Sequence, residues 1–132
     1  CAYVGSQTHI YNDTLRNNLT LWNEAITDTH IKEALERVNL LSFLSRIDEQ
    51  VSDGSFSEGQ KQRIGLIRAF LKGSSVVIFD EATANLDHNN ATRIEHLLLS
   101  DPNITYITVT HHLIKENEPY FDEIIRLGEG TE

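Results

Sequence analysis

Residues 75–87, SVVIFDEATANLD, carry the apolar run Val76–Phe79 into two acids, Asp80 and Glu81, and then pass through a short loop to Asp87. A short apolar run rich in β-branched residues suits a strand buried on both faces of a parallel sheet. A carboxylate at the C-terminal tip of such a strand sits where α/β proteins bind ligands. Two adjacent acids there can divide labour, Asp80 holding a magnesium ion and Glu81 acting as general base on an attacking water. The same pair also serves as a solvated turn and helix cap, and nothing within the stretch separates the two readings.

Downstream, HNNATRIEHLLL (88–99) reads as a helix, NITYITVT (103–110) as a second strand and DEIIRL (122–127) as a third, before a turn at GEG (128–130). Strand, helix and strand in that order indicate a parallel βαβ unit with a right-handed crossover. Upstream lies SFSEGQKQRIGLIRAF (55–70), in which Ser57 is followed three residues later by Gln60. That spacing is a capping box and starts a helix. Its body places Ile64, Ile67 and Leu71 on one side, with Leu66 and Phe70 adjacent, so that it lies against the sheet. Gly59 in the first turn costs up to about 1 kcal/mol relative to alanine but leaves backbone N–H groups unobstructed. Free N–H groups and the helix dipole make an anion site. A capped amphipathic helix with no ligand fits these residues equally well.

The first half is predominantly helical. Thr29 caps HIKEALERVNLL (30–41), where Ile31, Leu35, Val38 and Leu41 recur at helical spacing, and Asn12 or Asp13 caps a shorter helix over NDTLRNNL (12–19). The expected organisation is a mainly helical part to about residue 60 and an α/β part from there on. Repeats and low-complexity tracts are absent from the sequence.

The chain has 132 residues, the size of one ordinary domain. No apolar run approaches the roughly 20 residues that span a membrane. A formal net charge of −9 argues against a general nucleic-acid binder, whose affinity comes from Lys and Arg neutralising phosphates. Cys1 is the single cysteine, which excludes an internal disulfide and suits a reducing compartment. The histidines 9, 30, 88, 96, 111 and 112 show no metal-ligand spacing. The beginning has no signal-peptide pattern, and a start at Cys1 in place of Met reads as a piece of a longer protein.

Two of these stretches together carry a family resemblance. FSEGQKQRIGLIRAF (56–70) resembles the signature motif of the ABC ATPases, LSGGQ followed by QR and an Ala-Arg-Ala helix, and VVIFDEATANLD (76–87) resembles their Walker B strand, catalytic glutamate and D-loop. Asp80 lies 20 positions after Gln60, as the family's intervening helix and turn require. AYVGSQTHIYNDTLRNNL (2–19) looks like the Q-loop and the start of the helical subdomain, with Gln7 as the loop glutamine. YITVTHHL (106–113) looks like the strand leading to the switch histidine, placing that role on His111, with His112 where an arginine is usual. The details IYNDTLRNN and VSDGSFS are similar to exporter-type members.

The resemblance implies a partial P-loop NTPase (RecA-like) parallel sheet with an ABC-type helical subdomain: Q-loop strand and loop over 1–10, helical subdomain over 11–60 ending in the signature, and the rest of the α/β core over 61–132. It implies ATP and Mg2+ as cofactors. Glu81 would be the base, His111 a γ-phosphate contact, Asp80 and Gln7 the metal ligands. Gln7, Ser57, Gly59, Gln60 and Asp87 would make up the nucleotide-binding set. The expected partners are a second ABC ATPase domain, paired head to tail so that Ser57 and Gly59 contact ATP held by the opposite subunit, and a transmembrane permease domain in the same polypeptide. The implied location is the cytoplasmic face of the cell membrane.

Two departures stand out. Glu58 occupies the family's first signature glycine and adds negative charge near a triphosphate site. No GxxxxGK[ST] occurs, because none of the glycines at 5, 54, 59, 65, 73, 128 and 130 precedes a lysine. The family places that Walker A loop before the Q-loop, so the 132 residues alone are expected to bind Mg·ATP weakly or not at all, not to hydrolyse it, and to expose sheet edges and apolar surface. A soluble ABC ATPase of chromosome maintenance or DNA repair is the competing function; Gln60, where such proteins carry glutamate, and the lack of heptads disfavour it. The missing Walker A is the one support for a third reading, a non-catalytic ABC-like module.

Overall fold

The computed structural model describes residues 2–5, 8–80, 88–110 and 113–126. In chain order the elements are β1 (Ala2–Val4), β2 (Asp13–Thr14), α1 (Leu15–Thr20), α2 (Asp28–Arg37), β3 (Gln50–Val51), α3 (Glu58–Lys72), β4 (Val76–Asp80), α4 (His88–Ser100) and β5 (Thr105–Val109). Short 3-10 turns cover Leu41–Arg46, Asp53–Ser55 and Lys115–Tyr120.

β4 is the central strand of a parallel sheet ordered β1-β4-β5, and β2 pairs antiparallel with β3. The β4 residues Val77 and Phe79 are buried in the core. The β4-α4-β5 unit is the βαβ arrangement expected. Register aligns Tyr3 with Ile78 and Ile78 with Ile107, so these three share one face, while Val4, Phe79 and Thr108 share the other.

Only the second face is covered among the described residues. Val4, Val77 and Phe79 join Ile64 and Ile67 of α3 and Ile94 and Leu98 of α4 in one buried cluster that reaches back to Leu15, Leu35 and Phe43 in the helical part. The other face leaves Tyr3 64%, Ile107 46% and Val109 57% exposed. The expectation of a strand buried on both faces is thus met on one, because α3 and α4 both contribute to the same side.

The helix starts show how capping is decided. α2 begins at Asp28, two residues before the expected start, because Thr27 and not Thr29 takes the extended cap conformation (φ −85°, ψ 162°) and accepts from the His30 N–H. Asp28 then lies in the first turn, where its charge suits the dipole. α2 ends at Arg37: Asn39 turns left-handed at φ 60°, and Leu41 leaves the helical face to start a 3-10 turn, half-exposed. α1 is capped by Thr14, not by Asn12 or Asp13; Asp13 sits in β2 and accepts from the Thr14 N–H and from Asn17 Nδ2 at 2.7 Å.

The expected third strand over DEIIRL is not formed in its described part. Residues 122–126 carry no ladder, and Leu127 lies outside the described residues. After the 3-10 turn containing Pro119, the chain is placed by the Phe121 ring, 6.0 Å from the Tyr106 ring, and Ile125 is exposed. An apolar β-branched run signals a strand only where a partner edge receives it.

α3 crosses the end of β1 closely. A Cβ at Gly65 would lie 3.0 Å from Thr8 Oγ1 and 3.3 Å from Val4 Cγ1, so glycine is what lets the helix approach the strand and the chain after it. Gly65→Val is expected to destabilise the fold by about 1–3 kcal/mol through overpacking. An unchanged denaturant midpoint would contradict so close an approach.

Candidate functional site

The three parallel strands end at the same edge of the sheet, with Val4 beside Phe79, Phe79 beside Thr108, and Asp80 beside Val109. Gln7, Glu81 and His111 follow these strand ends in the sequence; they and Asp87 lie outside the described residues. The described residues therefore bring together the strand ends from which the predicted site residues depart, together with Asp80.

Asp80 closes β4, and its Oδ2 accepts a 2.5 Å hydrogen bond from the Tyr3 hydroxyl on β1. The bond raises the Tyr3 pKa above the usual tyrosine value, chiefly because ionising the hydroxyl would lose the donor to Asp80. One carboxylate oxygen is thereby oriented by a neighbour, an arrangement that metal-binding carboxylates commonly show. Among the described residues no three His, Cys, Asp or Glu side chains converge on a metal site. A lone hard-oxygen ligand still fits magnesium, which binds proteins through one or two carboxylates and takes its remaining ligands from phosphates and water.

A second group forms at the start of α3. Ser57 Oγ accepts from the Gln60 N–H at 3.1 Å, and Gln60 Oε1 accepts from the Ser57 N–H at 2.9 Å, so the predicted capping box is present in both directions. Gly59 is buried between them in the first turn. At the other end, left-handed Gly73 (φ 75°) terminates the helix. In the first turns, Lys61 Nζ donates to Asp53 Oδ2 at 3.0 Å and to Glu58 Oε2 at 3.2 Å. Thr8 and His9 face Asp53, Glu58 and Lys61 across a cleft of about 380 Å³, so the chain following Gln7 opens onto the signature turn.

A buried polar network fixes the elements around the remaining loops. Tyr106 of β5 donates to Glu95 of α4 at 2.6 Å, and Asn117 Nδ2 donates to Glu95 Oε1 at 3.2 Å and to the Thr92 carbonyl at 3.1 Å. Burial, reinforced by Glu95, pushes the Tyr106 pKa far above its usual value. α4 follows Asp87 and β5 precedes His111 in sequence, so the network ties together the supports of both loops.

The family model for ABC transporters matches residues 2–84, well over half of the chain. The chain belongs to the ABC transporter family. Among curated relatives, a probable ABC transporter ATP-binding/permease protein of Haemophilus influenzae is 31% identical over 98% of this chain, and an ATP-dependent lipid A-core flippase 2 of Colwellia psychrerythraea is 29% identical over 98%. The chain spans 24% and 23% of the length of these two relatives. A solved structure of a bacterial Atm1-family ABC exporter with ATP bound superposes with a TM-score of 0.75 over 84% of this chain and 21% of that one; at 23% identity this likeness speaks for the α/β fold. Tyr3, Asp53 and Lys61 are the neighbours of the ABC transporter motifs that the sequence reading passed over. For Lys61 a signal existed, its i+3 spacing from Glu58 on one helix face. The Tyr3–Asp80 bond joins residues 77 positions apart and has no local signal.

Proposed function

We propose that the chain is the part of an ABC transporter's ATP-binding domain that runs from the Q-loop through the signature, Walker B and switch histidine, and that the full-length protein couples ATP hydrolysis to export across a membrane. Within it, residues 1–10 form the Q-loop strand and loop, 11–60 the helical subdomain and 61–132 the remaining α/β core. The observation that carries this is a reciprocally capped signature helix packed against a parallel sheet whose central strand ends in Asp80, in a chain of this family.

Asp80 and Gln7 would hold a magnesium ion, which would neutralise phosphate charge. Glu81 takes the proton of the attacking water, and His111 donates to the γ-phosphate. Asp87 lines the same site through the D-loop. Ser57, Gly59 and Gln60 present the first turn of α3 to a nucleotide held by the Walker A of a second ABC domain, where a helix N-terminus favours an anion. The proposed location is the cytoplasmic face of the membrane, with the permease domain in the same polypeptide.

Two surfaces support partners of this kind. The uncovered sheet face with Tyr3, Ile107 and Val109 suits further segments of the full-length domain, since parallel sheets bury both faces. Tyr11, Leu21 and Trp22 form an exposed apolar patch beside the first helix, with Leu21 and Trp22 both left-handed at φ 53° and 63°. Strained backbone and exposed aromatics at one place suit a docking surface, here for the permease. Among the described residues no helix is long and apolar enough to cross a membrane.

The test is magnesium-dependent ATP turnover by the full-length protein. Asp80→Asn is expected to raise the Mg2+ concentration for half-maximal turnover at least about tenfold, as removal of a metal-binding carboxylate does. An unchanged magnesium requirement would remove Asp80 from the metal site.

A further inference from the structure

The geometry points to Lys61 as the counter-charge that makes an acidic signature compatible with ATP: it neutralises Glu58 at the turn that meets the triphosphate, and so sets the nucleotide affinity of the site. This rests on the proposed ATP-binding role of the signature helix. Glu58 replaces a glycine of the family pattern and sits between Ser57 and Gly59, the two residues presented to the nucleotide. Left alone, its charge would oppose a triphosphate at close range.

The structure gives that charge a built partner. Lys61 lies one helical turn on, on the same face, with its ammonium 3.2 Å from Glu58 and 3.0 Å from Asp53. Its side chain is only 11% exposed, whereas the side chains of Glu58 and Asp53 are 58% and 69% exposed. Ammonium and stem thus lie under the two acids, and not out in solvent as a lysine normally extends. Asp53 is placed by its own 3-10 turn, whose ends are closed by reciprocal bonds between Ser52 and Ser55. The hydrogen bond to Asp53 first, and that to Glu58 after it, raise the Lys61 pKa against the opposing effect of desolvation, so the lysine stays charged. Three charges at the signature turn therefore sum to −1; without Lys61 they would sum to −2, and without Glu58 to zero.

The pairing predicts opposite effects from its two members. In the full-length protein at low salt, Glu58→Gln lowers the KM for Mg·ATP about threefold and Lys61→Met raises it about fivefold, the scale of one unit charge acting near a solvated surface. The double variant returns to within about twofold of wild type because the charge sum is again −1, and Lys61→Arg stays close to wild type. The kcat of each changes less than twofold, and the KM effects fade toward unity in about 0.5 M salt as screening shortens the interaction. Glu58 is exposed, so its variant folds whatever becomes of Lys61→Met. An unchanged KM in Glu58→Gln at low salt overturns the pairing. So does a double variant as impaired as Lys61→Met, which would make Lys61 a direct phosphate contact, or an effect that survives high salt. Absence of ATP turnover in the wild-type protein would overturn the underlying ATPase reading instead, a distinguishable result.

Discussion

Glu81→Gln in the full-length protein is expected to lower steady-state ATP turnover by about 10²- to 10⁴-fold while ATP binding is retained. Glutamine keeps the length and hydrogen-bonding capacity of the side chain but cannot accept a proton from water. On the proposed reading, binding would depend on other groups: a Walker A elsewhere in the full-length domain, Asp80 at the strand end and the signature helix of a second ABC domain. The effect should therefore fall on kcat and leave nucleotide affinity near its wild-type value. Equilibrium binding of labelled ATP alongside phosphate release separates the two quantities. Unchanged phosphate release would remove the base role from Glu81.

The parts of the fold legible in the sequence are those decided within a few residues. Ser57 and Gln60 form their reciprocal cap because both partners and both backbone N–H groups lie in one turn. The run Val76–Phe79 becomes the central strand because a short, apolar, β-branched segment between turns has few other uses. Where two equivalent local signals compete, the sequence did not decide: Thr27 and Thr29 both precede the same helical run, and it is the Thr27 hydroxyl that accepts from the His30 N–H and sets the earlier start. Non-local partners were harder still. DEIIRL has strand composition, yet strand formation depends on an available edge, and its described residues carry no ladder.

The candidate site divides along the same line. Asp80 and the signature turn were readable from motif chemistry, and the described structure places both at the predicted elements. Of the supporting contacts, Tyr3 to Asp80 depends on how distant segments meet, and Lys61 to Asp53 on how the 3-10 turn before α3 folds against the start of that helix. Gln7, Glu81, Asp87 and His111 lie outside the described residues, so their roles remain proposals carried by the motifs.

Ser57 and Glu81 of one subunit are expected to serve different nucleotides. Ser57→Arg places a bulky side chain at the signature turn and should abolish turnover, as Glu81→Gln does, so that each variant is inactive as a pair of identical subunits. The decisive measurement co-expresses the two full-length variants with different affinity tags, isolates the mixed pairs by sequential purification and follows phosphate release. In a head-to-tail pair, the mixed species has one site with an intact Glu81 on one subunit and an intact Ser57 on the other. Its second site carries both defects. Turnover should then return to about half that of wild type, from a background at least about 10²-fold lower. If Ser57 and Glu81 of one subunit instead act on the same nucleotide, every site in the mixed pair carries a defect, and turnover no higher than that of either parent would contradict the shared-site arrangement.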